Sequence, residues 1–329
     1  MGQETKLERF AKYAWFVLAW NIAVILWGVF LRASKSGDGC GQHWVTCNGE
    51  ILPSAPELKT VIEFSHRVTS SVAGILIIVL VVWALRRWYL QRTEQHRLTL
   101  IMAAGSLLFV IIEGLLGRSL VLTGNTAMNL TPERPFWMAG HLINTLILLA
   151  FITLTAYYAS GGGPMRFRIK PRVVLVIALG AIAIFLVGIS GSIAALSNMI
   201  FPTETLAEGV ARDFSSTSNV LLRLRPLHPI LAVLAAVYLI FAAGWLRKES
   251  NNNPGVLRWS NILSLLAVAQ VAFGAATLFM LGPIVMQLGH LLLADAVWIG
   301  LILLTANFLE YSSRNDELAS GEPKPAASV

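Results

Sequence analysis

Eight long apolar segments are the feature that most constrains this chain, because each has the length of a membrane-spanning helix. A helix needs about 20 apolar residues to cross the hydrocarbon core of a bilayer. The alternation that marks a transmembrane strand is absent, so the pattern predicts an all-α integral membrane protein with eight transmembrane helices rather than a barrel. The segments cover roughly residues 13–31, 66–85, 98–117, 139–158, 173–192, 228–246, 259–280 and 284–308.

The composition agrees with lipid as the solvent for much of the surface. Hydrophobic residues make up 56% of the 329 residues and charged residues only 13%, whereas a soluble domain carries about 25% charged residues. The net charge of +7 would suit a nucleic-acid-binding protein. In a membrane protein, however, basic residues collect in the cytoplasmic loops, so we expect no nucleic-acid partner.

The basic residues also predict the orientation in the bilayer. If the N-terminus is cytoplasmic, 16 of the 25 Lys and Arg residues fall in cytoplasmic segments, which are also the shorter ones. Both termini are therefore expected in the cytoplasm. The first segment lacks a small-residue cleavage site and is expected to be retained as a helix. Residues 1–12 are too short for a transit peptide, which favours a bacterial plasma membrane.

The second half of the sequence repeats features of the first. Gly140-His141-Leu142 matches Gly289-His290-Leu291, and His66 matches His228, each at the start of an even-numbered segment. We therefore expect two pseudo-two-fold-related four-helix bundles, parallel to each other because each holds an even number of helices. The expected units are an N-terminal half (1–160), a C-terminal half (161–312) and a disordered polar cytoplasmic tail (313–329).

Four histidines fall at matched places, near the outer ends of inward-running helices: His66, His141, His228 and His290. Two histidines at similar depth on parallel helices of one bundle suit bis-imidazole ligation of haem iron. Small residues follow one turn later on the same faces, at Ser70, Thr145, Ala232 and Ala294. The alternatives are wettable interface histidines without a cofactor, or another metal; zinc usually needs four ligands around one centre.

Cys40 and Cys47 are the only cysteines and lie in a loop predicted to face the oxidising side. Such a pair usually forms a disulfide, here either a structural staple or a redox-active bond. Glu63 lies three residues before His66, and an acid beside a cofactor at the membrane edge is a functional candidate. A helix N-terminal carboxylate stabilised by the dipole is the alternative. The matching position in the second half is Arg225.

Other charged residues have two open interpretations each. Glu113 and Asp295 lie among apolar neighbours, and each suits either a proton path or a hydrogen bond to another helix. Glu113 stands four residues before Gly117, as Gln270 does before Gly274. Haem propionates are carboxylates that arginine can bind, and the candidates at the right depth are Arg67, Arg118, Arg134, Arg223 and Arg225.

Together these features resemble the haem A synthase family, and the resemblance spans nearly the whole chain. The motifs that carry it are Glu63-x-x-His66-Arg67, the Cys40…Cys47 loop with Trp44, Gly140-His141, His228-Pro229 and His290. The cysteine loop departs from the family pattern, with Gly-Gln-His and Val-Thr where Pro-Asp and Pro-Leu are common. The second half lacks the further cysteine pair that some members carry.

The resemblance implies that the protein oxidises the C8 methyl of haem O to a formyl group, making haem A for terminal oxidases. It also implies haem b as a cofactor on His228 and His290, the iron of the haem O substrate on His66 and His141, and Glu63 as the catalytic acid. Haem O synthase and a quinone or other electron acceptor are the expected partners. The alternatives are a di-haem b-type cytochrome that passes electrons from quinol without acting on haem, and a transporter.

Overall fold

The computed structural model of the protein describes the backbone of residues 8–165 and 170–320, and the side chains of those up to residue 315. Four of the basic residues that were counted to predict the orientation therefore lie outside the described residues: Lys6, Arg166, Arg168 and Lys324. The same holds for residues 321–329 of the predicted tail.

The regular secondary structure of the described residues consists of helices and one isolated bridge between Cys47 and Glu50. Eight helical stretches in it are long and apolar enough to cross a membrane, with α7 and α8 together forming one of them. The predicted fold class, all-α with eight spans, is thus confirmed. The helices are α1 (Arg9–Ala33), α2 (Leu58–Leu90), α3 (Glu94–Leu122), α4 (Arg134–Ala159), α5 (Pro171–Ile200), α6 (Leu206–Asp213), α7 (Val220–Leu224), α8 (Leu227–Glu249), α9 (Pro254–Phe279) and α10 (Ile284–Ser320).

Several helices extend beyond the apolar segments that predicted them. Helix α2 begins at Leu58 and α4 at Arg134, so His66 and His141 lie about two turns inside their helices rather than at the start. Only His228 directly follows a helix start. The apolar segment starts later than α2 because the first turn of this helix includes Lys59 and Thr60.

The predicted disordered tail needs a correction. Helix α10 continues through Ser320, so residues 313–320 are helical although their sequence is polar. The connection 201–226 also holds two short helices, α6 and α7, that the apolar segments did not predict.

Each half forms a ring of four long helices. In the first half, neighbouring contacts run α1–α2–α3–α4 and back to α1; in the second they run α5–α8–α9–α10 and back to α5. Helices α2 and α4 therefore face each other across the first ring, and α8 and α10 across the second. The pseudo-two-fold relation between the rings and the boundaries at 160 and 312 stay predictions.

The two rings meet mainly through α4. This helix packs against α5 and α10, and α1 also contacts α10. Trp298 of α10 donates its indole N–H to the Leu146 carbonyl at 2.7 Å and packs against Phe185 at 5.3 Å between ring centres. Near the C-terminal end of α4, the Tyr157 hydroxyl donates to the Glu310 carboxylate. Helix α4 thus links the two rings.

Candidate functional site

The fold brings His228 and His290 together across the second ring. Their ring centres are 6.3 Å apart and their planes are inclined by 84°. With metal–imidazole bonds of about 2 Å, two imidazoles on opposite sides of one metal have their centres about 6 Å apart. The separation therefore fits a single metal between the two rings, as in a bis-histidine haem.

His66 of α2 and His141 of α4 hold the corresponding places in the first ring, on the two helices that face each other across it. The Ser70 hydroxyl donates back to the His66 carbonyl at 2.7 Å, and the Thr145 hydroxyl oxygen lies 2.8 Å from the His141 carbonyl oxygen. Tied in this way, the side chains one turn along each helix stay compact. The predicted small face next to each histidine is thus present beside this pair.

Three of the four imidazoles lie directly against a glycine of a neighbouring helix. Built onto these glycines, a Cβ atom would stand 3.0 Å or less from the imidazole Cε1 atom. Only glycine allows this approach without displacing the ring. The pairs and distances are Gly28–His66 at 3.0 Å, Gly191–His228 at 2.9 Å and Gly274–His290 at 2.8 Å.

The sequence did not indicate that these three glycines contact histidines. The repeat offered one signal, because Gly117 and Gly274 occupy matching places, but it did not say that the glycine contacts a histidine. In the structure Gly274 does so, whereas a Cβ on Gly117 would meet nothing within 4 Å. The glycine–histidine contact that Gly274 makes in the second ring therefore has no counterpart at Gly117 in the first.

The Nδ1 atoms of the four imidazoles differ in whether they have a hydrogen-bond partner. Within the described part of the chain, the buried Nδ1 atoms of His66, His141 and His290 have no hydrogen-bond partner, whereas the Nδ1 of His228 lies 3.3 Å from the Ser190 hydroxyl. Buried polar atoms are rarely left unpaired. Residues 8–165 and 170–320 hold no cluster of three or more His, Cys, Asp or Glu side chains that would bind a metal ion. Two histidines per helix ring are the donor set of a bis-histidine haem, whereas a structural zinc site usually has four ligands.

The predicted disulfide is present between Cys40 and Cys47, and both residues are buried. It closes a loop that packs on the first turns of α2. The Thr60 hydroxyl donates to the Gly39 carbonyl at 2.7 Å. The disulfide therefore belongs to the packed cap of the first ring rather than to an open surface.

Glu63 fastens that cap to the helix bearing His66. Its side chain is buried, with Oε2 accepting the Cys40 backbone N–H at 2.9 Å and Oε1 accepting from the Arg67 guanidinium. Arg67 also donates to the carbonyls of His43 and Thr46, at 2.7 and 3.0 Å. The Glu63–Arg67 ion pair thus ties the loop to α2 one turn from His66.

The candidate propionate-binding arginines differ in how far they are already engaged. Arg67 is held by Glu63, and Arg225 pairs with Asp213 at 2.7 Å. Arg134 is buried and donates to the Asn129 carbonyl. Arg118 lies over the Trp44 ring at 5.7 Å, and Arg223 is exposed. Arg118 and Arg223 therefore remain the least constrained candidates.

Two ionisable residues inside the helices have different surroundings. Glu113 on α3 accepts hydrogen bonds from Asn144 and Thr145 of α4, so the predicted bond to another helix is present. Asp295 on α10 is only 2% exposed, and its Oδ2 atom has no hydrogen-bond partner within the described part of the chain.

Comparison with known proteins identifies the family. The sequence model described as "COX15-CtaA: Cytochrome oxidase assembly protein" matches residues 11–302. The haem A synthase of Halalkalibacterium halodurans is 27% identical over 287 residues, covering 84% of this chain and 89% of that protein. The haem A synthase of Alkalihalophilus pseudofirmus is 25% identical over 289 residues, covering 86% and 92%.

A longer relative is more similar in sequence. The protohaem IX farnesyltransferase of Thermus thermophilus is 41% identical over 314 residues, covering 95% of this chain and 51% of that protein. The chain thus spans about half the length of this relative. The family match covers most of the chain, including all four candidate histidines. This chain belongs to the haem A synthase family, the cytochrome oxidase assembly proteins of the COX15-CtaA type.

Proposed function

We propose that the protein is a haem A synthase that oxidises the C8 methyl group of haem O to a formyl group. The observation that carries the proposal is the pairing of His228 and His290 across the second helix ring, at a separation of 6.3 Å that fits one metal. Family membership supports the same activity. The conversion removes four electrons and adds one oxygen atom, so the protein acts as an oxidoreductase on its haem substrate.

The two pairs have different proposed roles. His228 and His290 hold a permanent haem b, which supplies one-electron redox chemistry when bound. His66 and His141 hold the iron of the haem O substrate. The differences between the rings support this division, because only the first has the acid and the disulfide cap. A substrate must enter and leave, whereas a cofactor can stay.

Glu63 is the proposed catalytic acid beside the substrate. Its carboxylate is buried and faces the disulfide loop, and it is held in place by Arg67 and the Cys40 N–H. A negative charge fixed there stabilises positive charge that develops as the methyl carbon is oxidised, and a carboxylate can also accept a proton from it. The loop excludes water from one side of the carboxylate.

Haem O synthase is the proposed partner that supplies the substrate. The Thermus thermophilus relative is named for farnesyl transfer to protohaem IX, and this chain aligns with about half of it. The Thermus thermophilus protein therefore contains a segment similar to this chain and about as much sequence again outside it. We propose that haem O passes from such an enzyme to the first ring within the bilayer, and that electrons leave to a quinone or another acceptor.

The proposed setting is the plasma membrane, with both termini cytoplasmic and the histidine sites toward the outer face. An even number of spans places the two ends of the chain on one side. The excess of basic residues in the shorter loops supports the cytoplasm as that side.

Co-expression with a haem O synthase tests the activity. The host should make no haem A of its own, and the extracted haems are identified by chromatography and mass spectrometry. Haem A or its hydroxymethyl precursor is expected. Only haem B and haem O, in cells with well-expressed protein, would contradict the proposal and favour a di-haem cytochrome.

A further inference from the structure

Glu113 is a carboxylate on α3 that faces the histidine of α4. Its Oε1 atom lies 3.4 Å from Nδ1 of His141. The Asn144 amide and the Thr145 hydroxyl donate to its two oxygens, and Asn144 also donates to the Phe109 carbonyl at 2.9 Å. An acid inside a membrane-spanning helix is energetically costly and is therefore a candidate for a functional role. These contacts fix the carboxylate behind the ring of His141.

The second ring has a neutral group at the matching place. Gln270 stands on α9 four residues before Gly274, which lies directly against the His290 ring. Its Oε1 atom is buried and, among the described residues, has no hydrogen-bond partner. The two histidine pairs therefore differ by one negative charge on the helix next to one of their members.

We propose that Glu113 is a positioning residue that accepts the N–H of His141 Nδ1 and thereby makes the first iron richer in electrons than the second. The 3.4 Å separation is a few tenths of an ångström longer than a normal N–H···O bond. A small rotation of the imidazole closes it and directs Nε2 toward the iron. A carboxylate behind a metal-bound histidine increases the basicity of the ligand.

The predicted consequence is a difference in reduction potential. Ligand basicity and hydrogen bonding are the levers by which a protein sets the potential of haem iron. A more basic His141 stabilises the ferric over the ferrous state, so Glu113 lowers the reduction potential of the first haem. The inference rests on the proposed haem ligation and adds a difference between the two sites.

A spectroelectrochemical titration tests the inference with haem b, added as haemin to the purified full-length protein, as the probe. Glu113→Gln has almost the same shape and removes the charge. We expect one midpoint potential to rise and the other to stay the same. A tenfold change in the ferric-to-ferrous ratio at a fixed potential corresponds to about 59 mV. In a His228→Ala background, which leaves only the first bis-histidine pair, the same shift is expected in the remaining low-spin haem.

Gln270→Glu is the reciprocal variant, and it should lower the potential of the other haem. If Glu113→Gln loses its haem, the result for Gln270→Glu decides. Unchanged potentials in every variant that retains haem would overturn the role of Glu113. Failure of the wild-type protein to bind haemin through two histidines would instead contradict the proposed function, so the two failures are distinguishable.

Discussion

At the scale of single residues, the contact between each imidazole and a glycine makes a sharp prediction. Gly274→Ala places a methyl group 2.8 Å from Cε1 of His290, so the imidazole must leave its present position. We expect at least a several-fold loss of the low-spin haem at this site, measured by the absorbance spectrum of the purified protein.

Gly244→Ala is the matched control for that variant. It lies in α8, the helix that bears His228, and a Cβ there would meet nothing within 4 Å. Its haem content should equal that of the wild type. Equal haem content in the Gly274→Ala and Gly244→Ala proteins would show that the close approach does not set the ligand position.

Glu63 gives the second prediction at this scale. Glu63→Gln keeps an oxygen that can accept the Cys40 N–H but removes the charge that pairs with Arg67. We expect the variant to retain its haem and to form little haem A in the co-expression assay. Glu57→Gln, at the exposed N-terminal cap of the same helix, should behave as wild type. Normal haem A output from Glu63→Gln would remove Glu63 from the catalytic role.

The sequence was enough to predict the four histidines, but not the glycines that contact them. The histidines stood out because a polar residue within an apolar segment is rare, and their matched positions suggested pairs. Arg67 was proposed as a propionate ligand, and only the fold shows that it also holds the carbonyls of His43 and Thr46. The glycines were hidden because glycine is common wherever membrane helices pack closely.

At the scale of elements, the disulfide loop is the part of the first ring most open to chemical test. Removing the bond frees a loop of six intervening residues, which by loop entropy costs about 2–3 kcal/mol of unfolding free energy. We expect Cys40→Ser to lower the thermal midpoint and reduce haem A formation, because the Cys40 N–H no longer fixes Glu63.

Thiol labelling checks the state of the same loop. Both cysteines are buried and bonded to each other, at 0% and 1% exposure. A maleimide reagent should therefore label neither cysteine in the native wild type, and both after denaturation with reductant. Labelling without reductant would contradict the oxidised outward-facing loop.

Helix number and helix length were predictable to different degrees. Apolar length set the number of spans because hydrocarbon allows no unpaired backbone, and this holds for all eight. The ends were not predictable in the same way. The first turns of α2 are polar, in Leu58-Lys59-Thr60, yet packing against the Cys40 loop keeps them helical. Tertiary contacts of this kind have no signature in the apolar pattern.

At the scale of the whole molecule, the predicted orientation is tested with reporter fusions. Fusion points at Gly162, between α4 and α5, and at Asn251, between α8 and α9, should give a fluorescent cytoplasmic reporter. A fusion at Asn129, between α3 and α4, should give active alkaline phosphatase on the outer side. Basic residues in the shorter loops are the physical reason. The opposite pattern at all three points would invert the assignment of the histidine sites to the outer face.

The packing of α4 against α10 has a consequence for the path that electrons could take between the two histidine pairs. These helices carry His141 and His290, one ligand from each pair, and Trp298 bridges them through its hydrogen bond to Leu146. Electron tunnelling weakens steeply with distance and with every through-space gap. If both haems bind as proposed, the seam between α4 and α10 would give electrons removed from the substrate a route within the protein from the first histidine pair to the second.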